Sequence, residues 1–193
     1  MIVAISGTHG AGKTTLIEAL LKQHPTWQGL AEITRSLMPA IGYDSPYGIV
    51  AENGIAMYEA AILGQWSTLP SHISRQSAVT FVCLLDRSPV DNLAYYFVHR
   101  DPSEVVHEKF LTKLACAYLP FIDLHIHVPC LPFGVPLDAV QRIDTQVELE
   151  NIIIKLYHPL NVRYQTLTSI SLHDRCPDAT LIIRNYDNMN QGS

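Results

Sequence analysis

Met1–Ser6 (MIVAIS) is a short apolar run rich in β-branched residues, with no alternation of polar and apolar positions. A strand buried on both faces of a parallel sheet reads this way, because neither face meets water. The period then changes. Over Lys13–Gln23, Leu16, Ile17, Leu20 and Leu21 form one helical stripe, and Pro25 stops the helix. Gly29–Ile33 reads as a weak second strand, and Val50–Trp66 as a helix despite Gly54 and Gly64. Val79–Leu85 (VTFVCLL) is the clearest buried strand and ends at Asp86. Val90–Val98 and Ser103–Tyr118 read as helices, the second with capping chemistry at Asp101 and Ser103. Leu124–Val128 is a strand closed by Pro129, Leu137–Val162 carries a long helical pattern, and Thr180–Arg184 (TLIIR) reads as the last strand. Strands alternating with helices imply a mostly parallel sheet with helices on both faces and right-handed crossovers.

Composition narrows the class. The chain has 193 residues, 48% apolar and 16% charged, which suits a folded domain and excludes a disordered one. No repeat or Gly/Ser linker divides it, so residues 1–193 read as a single domain. Lys and Arg total 13 against 18 Asp and Glu, a net charge of -5. Gripping long nucleic acid usually needs a basic excess, so the field favours small-molecule chemistry. Cys83, Cys116, Cys130 and Cys176 lack any C-x-x-C pairing and read as reduced thiols. There is no basic leader and no run of membrane-spanning length, which points to the cytoplasm.

The strongest chemical signal lies between the first strand and first helix. Gly7-Thr8-His9-Gly10-Ala11-Gly12-Lys13-Thr14 fits G-x-x-x-x-G-K-[ST], and Thr15 follows. The glycines let successive backbone N–H groups converge on phosphate oxygens, and the helix start adds its own orphan donors. Lys13 supplies a cation for the β- and γ-phosphates, and the Thr14 hydroxyl is placed to ligate Mg²⁺. ATP and Mg²⁺ are the expected cofactors.

A second acidic group belongs at the C-terminal end of a core strand, where open α/β sheets bind ligands. Asp86 meets that requirement, as a Mg²⁺ ligand or proton acceptor. Asp123 falls at the opposite edge, and Asp187 in a loop beyond Arg184. Arg87 follows Asp86 at once and can bridge phosphate oxygens.

Gly7–Thr14, followed by Leu85-Asp86-Arg87-Ser88-Pro89 and a helix with Asn92-Leu93-Ala94-Tyr95, resembles the P-loop kinases of the thymidylate kinase and deoxynucleoside kinase group. The likeness is strongest to a branch of small AAA-type ATP-binding proteins that includes relatives of the ribosylnicotinamide kinase domain. Members of that branch carry an acidic residue and an arginine after the second strand, matched by Glu32 and Arg35, and a lid arginine, matched by Arg142. The resemblance implies a three-layer P-loop NTPase fold with a five-stranded, mainly parallel sheet in the order 2-3-1-4-5, and a lid segment around residues 129–145. It further implies phosphoryl transfer from ATP to a nucleoside, a nucleotide or a related small metabolite. In that scheme Glu32 is base or hydroxyl anchor at the acceptor, and Asp86 is Mg²⁺ ligand or the alternative base. Lys13, Arg87 and Arg142 stabilise charge on the transferred group. The region 129–145 departs from nucleotide kinases in being proline-rich with Arg142 as its single arginine. Other classes stay open: a regulatory nucleotide-binding ATPase, or a kinase acting on a modified base or end in DNA or RNA. Homodimer formation is compatible with the sequence and not specified by it.

Weaker candidates complete the set. Arg35 and Arg75 can grip an acceptor phosphate, and Tyr43, Tyr47 or Tyr58 can stack on a base. His125 and His127 face one side of a strand, but no third ligand accompanies them at zinc spacing. His9 is expected to shape the backbone of the cradle with its side chain outward, and Tyr95 and Tyr96 to pack in the core.

Overall fold

In the computed structural model, the described residues are 1–31, 42, 46–68, 82–101, 105–130, 143–169 and 171–191. Their elements run β1 (Ile2–Ser6), α1 (Lys13–Gln23), β2 (Gln28–Leu30), α2 (Pro46–Gln65), β3 (Cys83–Asp86), α3 (Pro89–His99), α4 (Val105–Tyr118), β4 (Leu124–His127), α5 (Ile143–Tyr157), β5 (Tyr164–Thr166) and α6 (Leu172–Gln191). Short 3-10 turns follow α2 at Trp66–Thr68 and α4 at Leu119–Phe121. The sheet has five strands in the order β2-β3-β1-β4-β5. Every pairing is parallel, with Val3 opposite Leu84 on one side and Leu124 on the other.

Alternation along β1 assigns its side chains to two cores. Ile2 and Ala4 meet Ile55, Ile62 and Leu63 of α2, Leu93 and Tyr96 of α3, and Leu111 and Ala115 of α4. Val3 and Ile5 meet Leu16, Ile17 and Leu20 of α1 and Cys176, Ala179 and Ile183 of α6. All five residues of β1 are buried, which is why its sequence shows no polar alternation. Helix α5 packs on α3 through Leu149, Ile153 and Tyr157 against Val90 and Ala94. Truncating a side chain as buried as Leu16 (0% exposed) to alanine removes about 2–5 kcal/mol of stability.

Several expectations change. Thr180–Arg184 is not a strand: it lies inside α6, where Cys176, Ala179 and Ile183 repeat at helical spacing toward the core and Leu181 faces out. Asp187 is on the same helix rather than in a loop. The fifth strand is instead Tyr164–Thr166, three exposed residues held by backbone pairing with His125–His127. The long helix ends at Tyr157, short of Val162, and α2 begins earlier than expected, with a break at Gly54 (φ 78°).

Candidate active site

Strands β1, β3 and β4 bring three segments to one edge of the sheet. After β1 the chain turns through Gly7 at φ 143°, where a Cβ would stand 2.5 Å from the Val128 carbonyl oxygen. No other residue fits that approach. The turn closes at Gly12 (φ 87°), and α1 starts at Lys13 with no acidic residue in its first turn. The helix start therefore keeps its donors and positive dipole end for an anion.

Buried side chains brace this turn. Asp91 (0% exposed) accepts from Ser6 Oγ at 2.9 Å and Gly7 N–H at 2.8 Å through Oδ1, and from Ser88 N–H at 2.7 Å through Oδ2. Ser88 Oγ in turn accepts from Val90 N–H at 3.2 Å, so Ser88 and Asp91 form the capping box of α3. Tyr157 donates to Ser6 Oγ at 2.8 Å, and burial pushes the pKa of its phenol up. Arg175 (3% exposed) donates to three backbone carbonyls: Ala11 at 2.7 Å, Pro129 at 2.9 Å and Ser169 at 3.1 Å. One planar guanidinium thus joins the segments after β1, β4 and β5. Burial lowers its pKa, yet an arginine stays charged there. From α5, Gln146 donates to the His9 carbonyl at 2.8 Å.

The chemistry-bearing groups sit over that frame. Lys13 Nζ donates to the Thr8 carbonyl at 2.7 Å, folded across the turn. Thr14 Oγ1 donates to Asp86 Oδ2 at 2.6 Å, although 72 residues separate them. Asp86 is 5% exposed, and its Oδ1 has no hydrogen-bond partner. A hydroxyl and a buried carboxylate with a spare oxygen suit a hard divalent cation, so Thr14 and Asp86 fit Mg²⁺. Arg87 occupies φ 81°, a left-handed conformation costing a non-glycine residue on the order of 1–3 kcal/mol. Its N–H donates to the Ile5 carbonyl at 3.1 Å, and its guanidinium lies 4.9 Å over the Tyr95 ring.

The cradle Gly7–Thr14, Asp86 and Arg87 therefore meet at one place, whereas Asp123 accepts from Ile2 N–H at the far edge of the sheet. Glu32, Arg35, Tyr43, Arg75 and Arg142 lie outside the described residues, as do most of the lid segment and the side chain of Tyr47. Tyr58 is 8% exposed and packed into the core formed by α2, α3 and α4, so its ring offers no open stacking face. Thr15 is exposed. His125 and His127 do share a face, bracketing the Tyr157 ring at about 6 Å. His127 also contacts Glu150 at 3.3 Å, and burial holds the pKa of His125 down at about 4. Among the described residues no cluster of three His, Cys, Asp or Glu side chains could hold a metal.

Sequence reasoning missed several residues. Glu59 of α2 is 1% exposed, hydrogen-bonded to Asn92, and influenced by the Arg87 cation. Burial dominates and pushes its pKa up to about 8, and its Oε2 has no hydrogen-bond partner. The readable signal was its position: Ile55, Tyr58 and Ile62 make the buried stripe of α2, and Glu59 falls on it. Asp91 was readable from Ser88-x-x-Asp91 before an apolar run. Arg175 left no such sign.

A strand, a glycine-bearing turn over a helix start, and a Thr–Asp pair joining that helix start to the end of the adjacent parallel strand define a P-loop nucleotide-binding fold. The profile of an AAA domain family matches residues 2–175, and the chain belongs to that family. No curated protein matches the sequence. Among solved structures the chain is similar to a NadR protein in complex with NR, with TM-score 0.73, 15% identity, and coverage of 96% of this chain and 51% of that one. It is also similar to a deoxyadenosine kinase from M. mycoides with products dCMP and dCDP bound, at TM-score 0.67 and 12% identity, covering 96% and 100% of the two chains. A thymidylate kinase from Ehrlichia chaffeensis matches at TM-score 0.59 and 12% identity, covering 95% and 98%. At these identities the likeness establishes the fold and the strand order. No helix among the described residues is long and apolar enough to cross a membrane.

Proposed function

We propose that the protein is a kinase that transfers the γ-phosphoryl group of ATP, with Mg²⁺, to a nucleoside, a nucleotide or a related small metabolite. The observation that carries this reading is the Thr14–Asp86 hydrogen bond at 2.6 Å, with the spare Asp86 oxygen beside it and Arg87 next in the chain. The solved neighbours named as a deoxyadenosine kinase and a thymidylate kinase lend the acceptor class.

Little covalent chemistry is asked of the protein in such a transfer; positioning and charge stabilisation do the work. Backbone N–H groups of residues 7–14 hold the phosphates, and Lys13 neutralises their charge. Thr14 and Asp86 would hold Mg²⁺, which would supply positive charge to offset that of the phosphates. Arg87 stabilises charge on the moving group. Glu32, by resemblance, orients the acceptor hydroxyl or takes its proton; Arg35 and Arg75 grip an acceptor phosphate, and Arg142 is the lid arginine.

Purified protein with labelled ATP and Mg²⁺ is incubated with a panel of nucleosides and nucleotides. Label transfer to at least one is expected, and transfer to none overturns the acceptor class. Glu32→Gln lowers kcat much more than it weakens ATP binding; the opposite pattern removes Glu32 from the acceptor.

A further inference from the structure

Tyr95 is half-buried on α3, yet two groups of the site converge on it. The Arg87 guanidinium lies 4.9 Å above its ring, and its hydroxyl is hydrogen-bonded to His9 Nδ1 at 2.9 Å. His9 therefore turns its side chain onto α3 rather than outward, and the Gln146 amide holds its carbonyl at 2.8 Å from α5. Tyr96, the next residue, is 0% exposed and packs in the core, as expected of both tyrosines. Arg87 occupies a backbone conformation that persists only where surroundings hold it, and the Tyr95 ring is part of those surroundings.

We propose that Tyr95 is a positioning residue that links the phosphate cradle to Arg87. Its hydroxyl fixes His9 and with it the turn Gly7–Lys13; its ring face attracts the guanidinium and holds it beside Asp86. The two actions are chemically separable, because phenylalanine keeps the ring and loses the hydroxyl. This rests on the reading of the cradle as a nucleotide site.

The test is calorimetric and needs no identified acceptor. Affinity is measured for Mg²⁺–ADP, and for Mg²⁺–ADP with aluminium fluoride, a planar stand-in for the phosphoryl group in transit. Y95F is expected to weaken Mg²⁺–ADP binding by about threefold to tenfold while keeping the tightening that aluminium fluoride brings. Y95L is expected to show the same loss and also to reduce that tightening by about tenfold. H9A should reproduce Y95F, and H9A combined with Y95F should be no worse than either alone. H9A and Y95F probe the hydroxyl arm even where Y95L folds poorly. Identical behaviour of Y95F and Y95L, or wild-type values in both, overturns the proposal alone. Wild-type protein that binds no Mg²⁺–ADP overturns the nucleotide-site reading itself.

Discussion

The cradle side of the site and the α2–α3 side differ in how they satisfy their buried polar groups. Around the cradle, Asp91 uses both oxygens on three donors, and Arg175 spreads its guanidinium over three carbonyls. Between α2 and α3, Glu59 Oε2 is buried with no partner, and so is Asp86 Oδ1 at the boundary between the two sides. A fully satisfied network holds one conformation, since any shift costs hydrogen bonds that water cannot replace. A half-satisfied one keeps polar capacity in reserve at a cost in stability. Asp91 and Arg175 are thus fully engaged before ligand arrives, whereas Glu59 and Asp86 each keep one buried oxygen without a hydrogen-bond partner.

That contrast can be broken experimentally. Lys13→Ala removes the cation of the cradle together with its hydrogen bond to the Thr8 carbonyl, so phosphoryl transfer should fall about 10²–10³-fold while the melting temperature drops only slightly. A radiometric transfer assay beside a thermal melt checks both halves. Asp91→Ala strands the Ser6 hydroxyl and the Gly7 and Ser88 N–H groups; a loss of about 3 kcal/mol is expected, read from urea unfolding. Arg175→Lys keeps the charge but cannot reach three carbonyls in a plane. ATP affinity measured by calorimetry should weaken about tenfold, with kcat nearly unchanged. Unaltered affinity would make Arg175 a packing residue only.

At pH 5 Glu59→Gln is the smallest effect, and it tests the other side. Between its ordinary value of 4.5 and about 8, the folded chain keeps a proton on Glu59 that the unfolded chain has released. Wild-type stability should therefore fall as pH rises through that window, by about 1 kcal/mol per pH unit. The glutamine variant lacks this fall, so its advantage over wild type grows from pH 5 to pH 8 and then levels. His125, held near 4 by burial, acts in the opposite sense, adding stability as pH rises from about 4 to 6.5. It is present in both proteins and cancels in the difference. A constant gap between the two curves would mean that Glu59 titrates normally.

What could be read beforehand follows from how local each signal was. Helix α1 matched its expected bounds, Lys13–Gln23, because stripe, proline stop and cradle all lie within a few turns. Strand β5 was unreadable, because Tyr164–Thr166 is exposed and owes its strand state to pairing with β4. Thr180–Arg184 misled because a short β-branched run suits a buried strand and a buried helix face equally, and only packing on α1 and the sheet decides.

Sequence alone determined the cradle, the acidic–arginine pair at the end of β3, and the alternation that makes a parallel sheet. Each is written in residues adjacent along the chain or repeating at a fixed period. Tertiary structure alone decided that Thr14 meets Asp86, that Arg175 ties the cradle to segments after β4 and β5, and that Glu59 is buried beside Asn92. Those contacts join residues tens to more than a hundred positions apart, and no local period encodes which distant donor will find which acceptor once water is excluded.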